Sequence, residues 1–433
     1  MTRGLVARLV GRPWIYFPVP PVRRTGAEMT SVRTPSPGSA STTVAPLAGI
    51  RVLDLTRGIA GPFAAKIMAV MGADVIKVEP PGGDVARRQP PFLGDDPHVE
   101  KSGLYLYLNT NKRGVTLDLE QPSARAILRR LYAWADLVFE DAAPGWLADR
   151  DLGYAALERV NPRAVLVSVT PFGQYGPYRD YEATDLVALA LGGLLYISGE
   201  PAREPLKLGG HPSEYFAGLA AFSGGMIALH HRDAAGEGQH VDVAQVEGIA
   251  TAQGYSSLGH GYIHEDRRRM NAFAPMFRAK DGFVGAMFRQ DNWADFCQMM
   301  GRPDLVADPR FVDQNARRDH TEELNAIVGE WMAEQPKEDV YHAGQLKRMP
   351  MGYICDPADL LASEQYRVHE YFTTLDHPVT GPLQYPGMPM RWGDDHWDLR
   401  RAPLLGEHNR EVFCGMLGYT SEELVLLRST GTI

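Results

Sequence analysis

Cysteine is scarce in this sequence: Cys297, Cys355 and Cys414 stand far apart among 433 residues, with no CxxC pair and no Cys/His ligand spacing. That spacing argues against a disulfide framework or a zinc site and suits a reducing, cytoplasmic compartment. Positive charge is also short, with 44 Lys and Arg against 53 Asp and Glu and a formal charge of −9. Nucleic acid and anionic membrane surfaces need a concentrated basic face, so neither is an expected partner. No apolar run approaches the roughly 20 residues that cross a bilayer. HExxH, a Ser/His/Asp arrangement and GxGxxG are all missing, so neither a metal, a serine mechanism nor a nicotinamide cofactor is expected.

The chain is long enough for a large core and, on length, two domains. Its first 28 residues carry five arginines and one acid, and a Ser/Thr/Pro/Ala-rich stretch follows Met29. Residues 1–45 read as a disordered extension, an over-long gene start rather than a targeting segment. From Pro46 a regular alternation begins: strand IRVLDLT (50–56), helix PFAAKIMAVMG (62–72), strand ADVIKVEPP (73–81). It continues with GVTLDL (114–119), a helix at 123–135, DLVFE (136–140), a helix near 153–160 and RAVLVSVT (163–170). Strands alternating with helices on this scale predict a doubly wound parallel α/β sheet.

Two apolar segments, 186–198 and 215–231, follow a Gly/Pro/Tyr loop at 171–185 and predict helices buried inside the molecule or at a subunit contact. The turn and strand at 234–248 close a large domain spanning 46–250. Residues 270–355 are more mixed in composition and predict a smaller domain, with a strand at 281–288 and helices to about 345. Residues 251–269 and 356–394 read as linkers, the second ending in a Pro/Gly-rich return at 377–392.

Several groups could carry chemistry. Lys112 and Arg113 precede one strand and Arg87 and Arg88 follow a glycine turn, a pattern that suits a phosphate-bearing ligand or two solvated turns. Glu79 ends the second strand, where dinucleotide folds hold a ribose. His240, His377 and His408 read as structural. Of the carboxylates beside glycine-rich loops, Glu237 lies in an ordinary turn, Asp185 suits a helix N-cap, and Glu214 in GGHPSEYFAG falls in the first turn of its helix. A macrodipole favours an anion there by roughly 0.3–1 kcal/mol, so position alone explains Glu214 by capping as well as by catalysis.

The segments PLAGIRVLDLTRGIAGPFAAKIMAVMGADVIKVEPPGGD, NTNKRGVTLDL, FEDAAPG, LERVNPRAVLVSVTPFGQYGPYRD, GEGQHVDVAQVEG and APLLGEHN occur in that order. Together they resemble the class III CoA-transferase (CaiB/BaiF) family over nearly all of 46–433. The resemblance implies a Rossmann-like large domain completed by about 395–433, a small α/β domain and an interlocked dimer of identical or homologous chains. It implies that a coenzyme A thioester binds as substrate, with no cofactor held permanently.

CoA-contacting loops of the family correspond to Ile59 and Ala60, to Leu117, Asp118, Leu119 and Glu120, to Asp141 and Ala142, to Arg150, and to Glu182, Ala183, Thr184 and Asp185. The catalytic aspartate of the transferases lies in a segment like ADYVAG; here SEYFAG places Glu214 at that position. The implied function is a CoA-transferase working through an enzyme-carboxyl anhydride and thioester. A non-catalytic subunit of a heteromer is the alternative. An acyl-CoA racemase is less favoured, because its His–Asp dipeptide is Thr184–Asp185 here and His211 reads as a loop residue. The segment 255–280 is expected near the acyl group, its arginines on a solvated helix or facing an acidic substrate.

Overall fold

A computed structural model describes residues 45–200, 202–264, 276–391 and 398–433. The N-terminal extension up to residue 44 and the arginine-rich centre of 255–280 lie outside these. Strand β1 (Arg51–Asp54) leads to helix α1 (Ala60–Val70), then β2 (Asp74–Glu79), α2 (Gly103–Leu108), β3 (Arg113–Thr116), α3 (Pro122–Trp134) and β4 (Leu137–Glu140). There follow α4 (Tyr154–Val160), β5 (Val165–Thr170), α5 (Asp185–Leu191), the long α6 (Pro212–Ala235), β6 (His240–Ala244), α7 (Gln245–Ala252) and α8 (Gly254–Ile263). The six strands form one parallel sheet in the order β3-β2-β1-β4-β5-β6. Val52 of β1 pairs with Val75 on one side and Leu137 on the other, so the order reverses at β1. That reversal is the switch point of a doubly wound sheet, where the carboxyl ends of the strands open a crevice.

Helices cover both faces of the sheet, which is why β4 and β5 are buried along their whole length. Successive strand residues alternate between two cores. Val52, Val75, Leu137 and Val167 pack with Ala64 and Met68 of α1 and Ala221 and Ala228 of α6. Leu53, Ile76, Val138 and Leu166 pack with Ile127 and Leu131 of α3 and with Val412, Phe413 and Ile433 near the C-terminus. Burying each such side chain contributes about 1.5–3 kcal/mol. The C-terminal segment also hydrogen bonds to the sheet: the Asp118 N–H donates to the Thr432 carbonyl at 2.8 Å, and Asn409 both accepts from the Thr116 N–H and donates to its hydroxyl.

Small residues let α6 lie close to its neighbours. A Cβ at Gly218 would stand 2.6 Å from the Ala60 carbonyl oxygen, and one at Gly225 would stand 2.9 Å from Leu137. The segment is not buried all round as its composition suggests: Phe216, Leu219 and Ile227 are exposed on α6, as are Leu186 and Leu191 on α5 and Leu258 and Tyr262 on α8. No described helix is long and apolar enough to cross a membrane.

Residues 276–353 form a second, antiparallel sheet of β7 (Met276–Ala279), β8 (Gly282–Ala286) and β9 (Met351–Tyr353), with a core of its own around Phe277, Val284, Trp293, Phe296 and Met332. The stretch expected to hold a basic helix therefore ends in strand β7. Both spans read as linkers carry regular structure: α8 in the first, and in the second the hairpin β10 (Phe372–Leu375) with β11 (Leu383–Pro386).

Candidate active site

A cleft of about 300 Å³ opens at the carboxyl ends of β1 to β4. Leu55 and Arg57 follow β1, Val78 and Pro80 belong to the end of β2, Leu117, Asp118, Leu119 and Glu120 follow β3, and Glu140, Asp141, Ala142 and Ala143 end β4, with Trp146 and Leu147 closing one side. Six of the residues singled out in the sequence thus share one crevice. Arg150 stands at its edge, its guanidinium 4.0 Å from the Trp146 ring centroid and 2.9 Å from a Glu120 carboxylate oxygen. Asp141 accepts from the Arg57 backbone N–H at 2.6 Å, and burial pushes its carboxyl up to about 7. Glu140 accepts from the Ala142 N–H at 2.8 Å, and burial raises its carboxyl as well.

The basic turns are not part of this cleft. Lys112 is buried, donating to Asp54, to the Pro62 carbonyl and to Asn109 at 2.8–2.9 Å. Arg87 is buried between Glu79 and Glu100, with the closest contacts at 2.7 Å. These cations neutralise internal carboxylates, and a buried charge left without such a partner would cost several kcal/mol. Glu79 is occupied too, accepting from Arg87, from the Tyr105 hydroxyl at 2.8 Å and from the Asp84 N–H at 2.9 Å. It is a core strut, not a ribose ligand. His240, exposed at the start of β6, has its Nε2 2.8 Å from the Ser168 hydroxyl. Among the described residues no group of three His, Cys, Asp or Glu could hold a metal.

Glu214 occupies the third position of α6, behind Pro212 and Ser213, with 27% of its side chain exposed. Burial raises its carboxyl above the ordinary value; His211, whose Nδ1 is 3.4 Å away, opposes the rise, and the Asp185 charge adds to it. Asp185 does not cap its own helix. Its Oδ1 accepts from the Ser213 N–H at 3.0 Å and the Ser213 hydroxyl at 2.6 Å, so it caps α6 instead. Lys207 pairs with its other oxygen at 2.7 Å. Burial alone would raise the Asp185 carboxyl, but Lys207 and Ser213 outweigh it and hold it below the ordinary value. Gln245, at the start of α7, donates to the Ser213 hydroxyl at 2.7 Å.

The two centres are joined by the first βα turn. Arg57 lines the cleft, and two residues further on Ile59 and Ala60 begin α1. The Ala60 carbonyl lies under Gly218, one helical turn beyond Glu214, and Phe63 meets Tyr215 edge-on at 4.9 Å between ring centroids. Ile59 is buried and offers that path little beyond its backbone. Glu182 and Thr184 are exposed, and Ala183 half-buried, on the loop into α5. Sequence reasoning missed Arg57, Trp146 and Glu140 in the cleft and Lys207, Ser213 and Gln245 around Asp185. Arg57 stands inside the βα turn TRGIAGPF and could have been found there; Lys207 and Gln245 reach Asp185 and Ser213 only through the fold.

The architecture defines a doubly wound α/β protein with a crevice at the switch point and, reached through the first βα turn, a half-buried carboxylate at a helix start. The family model for CoA-transferase family III matches residues 47–409. A formyl-CoA:oxalate CoA-transferase of Streptomyces avermitilis is 32% identical over 410 residues, covering 89% of this chain and 99% of that protein. The succinyl-CoA:(R)-benzylsuccinate CoA-transferase subunit BbsE of Thauera aromatica is 34% identical over 393 residues, covering 87% and 96%. A crystal structure of a CaiB/BaiF family protein from Brucella suis superposes with a TM-score of 0.79 at 28% identity, covering 86% of this chain and 99% of that one. The chain belongs to CoA-transferase family III. Its chemistry is the transfer of CoA between an acyl-CoA and a carboxylic acid.

Proposed function

We propose that the transfer runs by covalent catalysis on Glu214, with the CoA nucleotide in the cleft at β1 to β4 and the pantetheine arm passing Ile59 and Ala60. The observation that carries this is the placement of a half-buried carboxylate one turn from Gly218, whose backbone rests on Ala60. A Glu214 oxygen attacks the thioester carbonyl, and the CoA thiolate leaves as an acyl–glutamyl anhydride forms. The thiolate then attacks the glutamyl carbonyl carbon, expelling the donor's carboxylate and leaving Glu214 as a CoA thioester. An acceptor carboxylate attacks that thioester to form a second anhydride; the thiolate attacks its acyl carbon, giving the new acyl-CoA and the free Glu214 carboxylate. No proton is consumed over the cycle. The tetrahedral oxyanions fall to backbone N–H groups of the neighbouring loops, since at the start of α6 Pro212 has none and those of Ser213 and Tyr215 donate to Asp185 and to the His211 carbonyl. Replacing Glu214 with Gln removes the nucleophile and should abolish turnover, with formyl-CoA and succinyl-CoA as first donors because relatives use them. A Glu214→Gln protein that still turns over would sink the assignment.

A partner copy is part of the same proposal. The exposed apolar side chains on α5, α6 and α8 support an interlocked dimer, and the likeness to a protein named as a subunit keeps a heteromer as the second reading. Purified protein inactive alone but active with a homologous chain would favour the heteromer. Residues 276–353, with their separate core, suit the smaller domain, and a cytoplasmic location suits the free thiols.

A further inference from the structure

Lys207 lies on the turn before α6 and is assigned no role by the reaction scheme. Its ammonium donates to the carbonyls of Leu208 and Gly210 at 2.9 Å each and forms an ion pair with Asp185 Oδ2 at 2.7 Å. Its charge is already paired with an internal carboxylate. The turn it spans has little packed against its glycines: a Cβ at Gly209 or Gly210 would meet nothing within 4 Å, and Gly210 has a φ of +70°. On the far side of Asp185, the other carboxylate oxygen holds the backbone N–H and hydroxyl of Ser213, the residue before Glu214. Gln245 buttresses that hydroxyl from α7.

We propose that Lys207 is a positioning residue for the transfer, a clasp that folds the glycine turn onto Asp185, fixes the first turn of α6 and neutralises the Asp185 carboxylate. The proposal rests on Glu214 as nucleophile. Two consequences separate it from a merely structural tie. The first is geometric: without the clasp the turn and the start of α6 gain freedom, and a nucleophile misplaced by about an ångström loses on the order of 10²-fold in rate. The second is electrostatic. Among the described residues, the titratable groups acting on Glu214 are His211 from its own turn and Asp185 from α5, and Lys207 offsets Asp185. Removing the ammonium leaves a like charge against Glu214, favouring its protonated, non-nucleophilic form and moving the acid limb of the pH–rate profile upward.

The test compares wild type, Lys207→Met, Lys207→Arg, Lys207→Met with Asp185→Asn, and Glu214→Gln in steady-state transfer from succinyl-CoA or formyl-CoA, with thermal melts as folding controls. Lys207→Met should lower kcat about tenfold or more with little change in KM and shift the acid limb to higher pH. Lys207→Arg should restore most of the rate, and Asp185→Asn added to Lys207→Met should return the limb toward the wild-type position. A Lys207→Met enzyme with wild-type kcat and profile overturns the clasp while an inactive Glu214→Gln leaves the nucleophile standing; an active Glu214→Gln overturns the nucleophile itself. Should Lys207→Met fail to fold, the Arg variant decides: a profile unlike wild type in a folded Lys207→Arg protein contradicts the charge role.

Discussion

At the scale of single residues, environment separates side chains that the sequence lists as equals. Asp185 and Glu214 both open helices, yet the first is held below its ordinary value by Lys207 and Ser213, while burial raises the second. A nucleophile must be ionised, so kcat should fall on the acid side with a midpoint above the ordinary glutamate value of 4.5, as a pH–rate profile would show. Asp141 makes a stability prediction. Its carboxyl moves from an ordinary 3.8 to about 7, so the folded state binds the proton more tightly than the unfolded chain does. The associated stability is complete below pH 3.8 and is lost as pH rises through about 7. Asp141→Asn should therefore unfold at higher denaturant than wild type at pH 8, with the gap closing toward pH 4. A gap that grows toward low pH would contradict this.

Among the elements, the legible ones were those whose pattern is local. The strands of the parallel sheet follow from short β-branched runs bounded by turns, and α1, α3 and α6 from longer apolar periods. Helix α2 was missed because its Leu/Tyr alternation, GLYLYL, has the period of a strand, and the Ser102 hydroxyl that caps it is a weak signal. Six of the residues taken from the family's loops line the cleft, but the role of the basic turns was not legible: whether Lys112 faces solvent or Asp54 depends on which strands become neighbours. The same holds for Gly218, one small residue among many in α6 until Ala60 lies against it. Gly218→Ala sets a methyl against a backbone oxygen at 2.6 Å and should destabilise the protein by about 1–3 kcal/mol in urea unfolding. Since α6 must shift to admit it, transfer activity should fall as well; an unchanged midpoint and rate would mean the two helices are not held in contact.

Over the whole molecule, the site depends on segments far apart in sequence. The loop after β3 that lines the cleft is tied to the C-terminus by the Asp118 N–H, and Ile433 is buried in the core beneath it. Deleting residues 418–433 should strip that core and leave insoluble or molten protein, read out by solubility and the loss of a cooperative melt. A truncated chain that melts and turns over like the full one would contradict it. In the proposed reaction the cleft leads by the first βα turn to Glu214 on α6, and the most direct test is to trap the covalent enzyme. Wild-type protein is incubated with acyl-CoA, quenched with borohydride or hydroxylamine, and mapped by peptide mass spectrometry beside Glu214→Gln. Modification of the peptide at Glu214 in wild type and none in the variant is the predicted result; an enzyme that turns over with Glu214 unmodified, or with the adduct on another residue, would contradict the account.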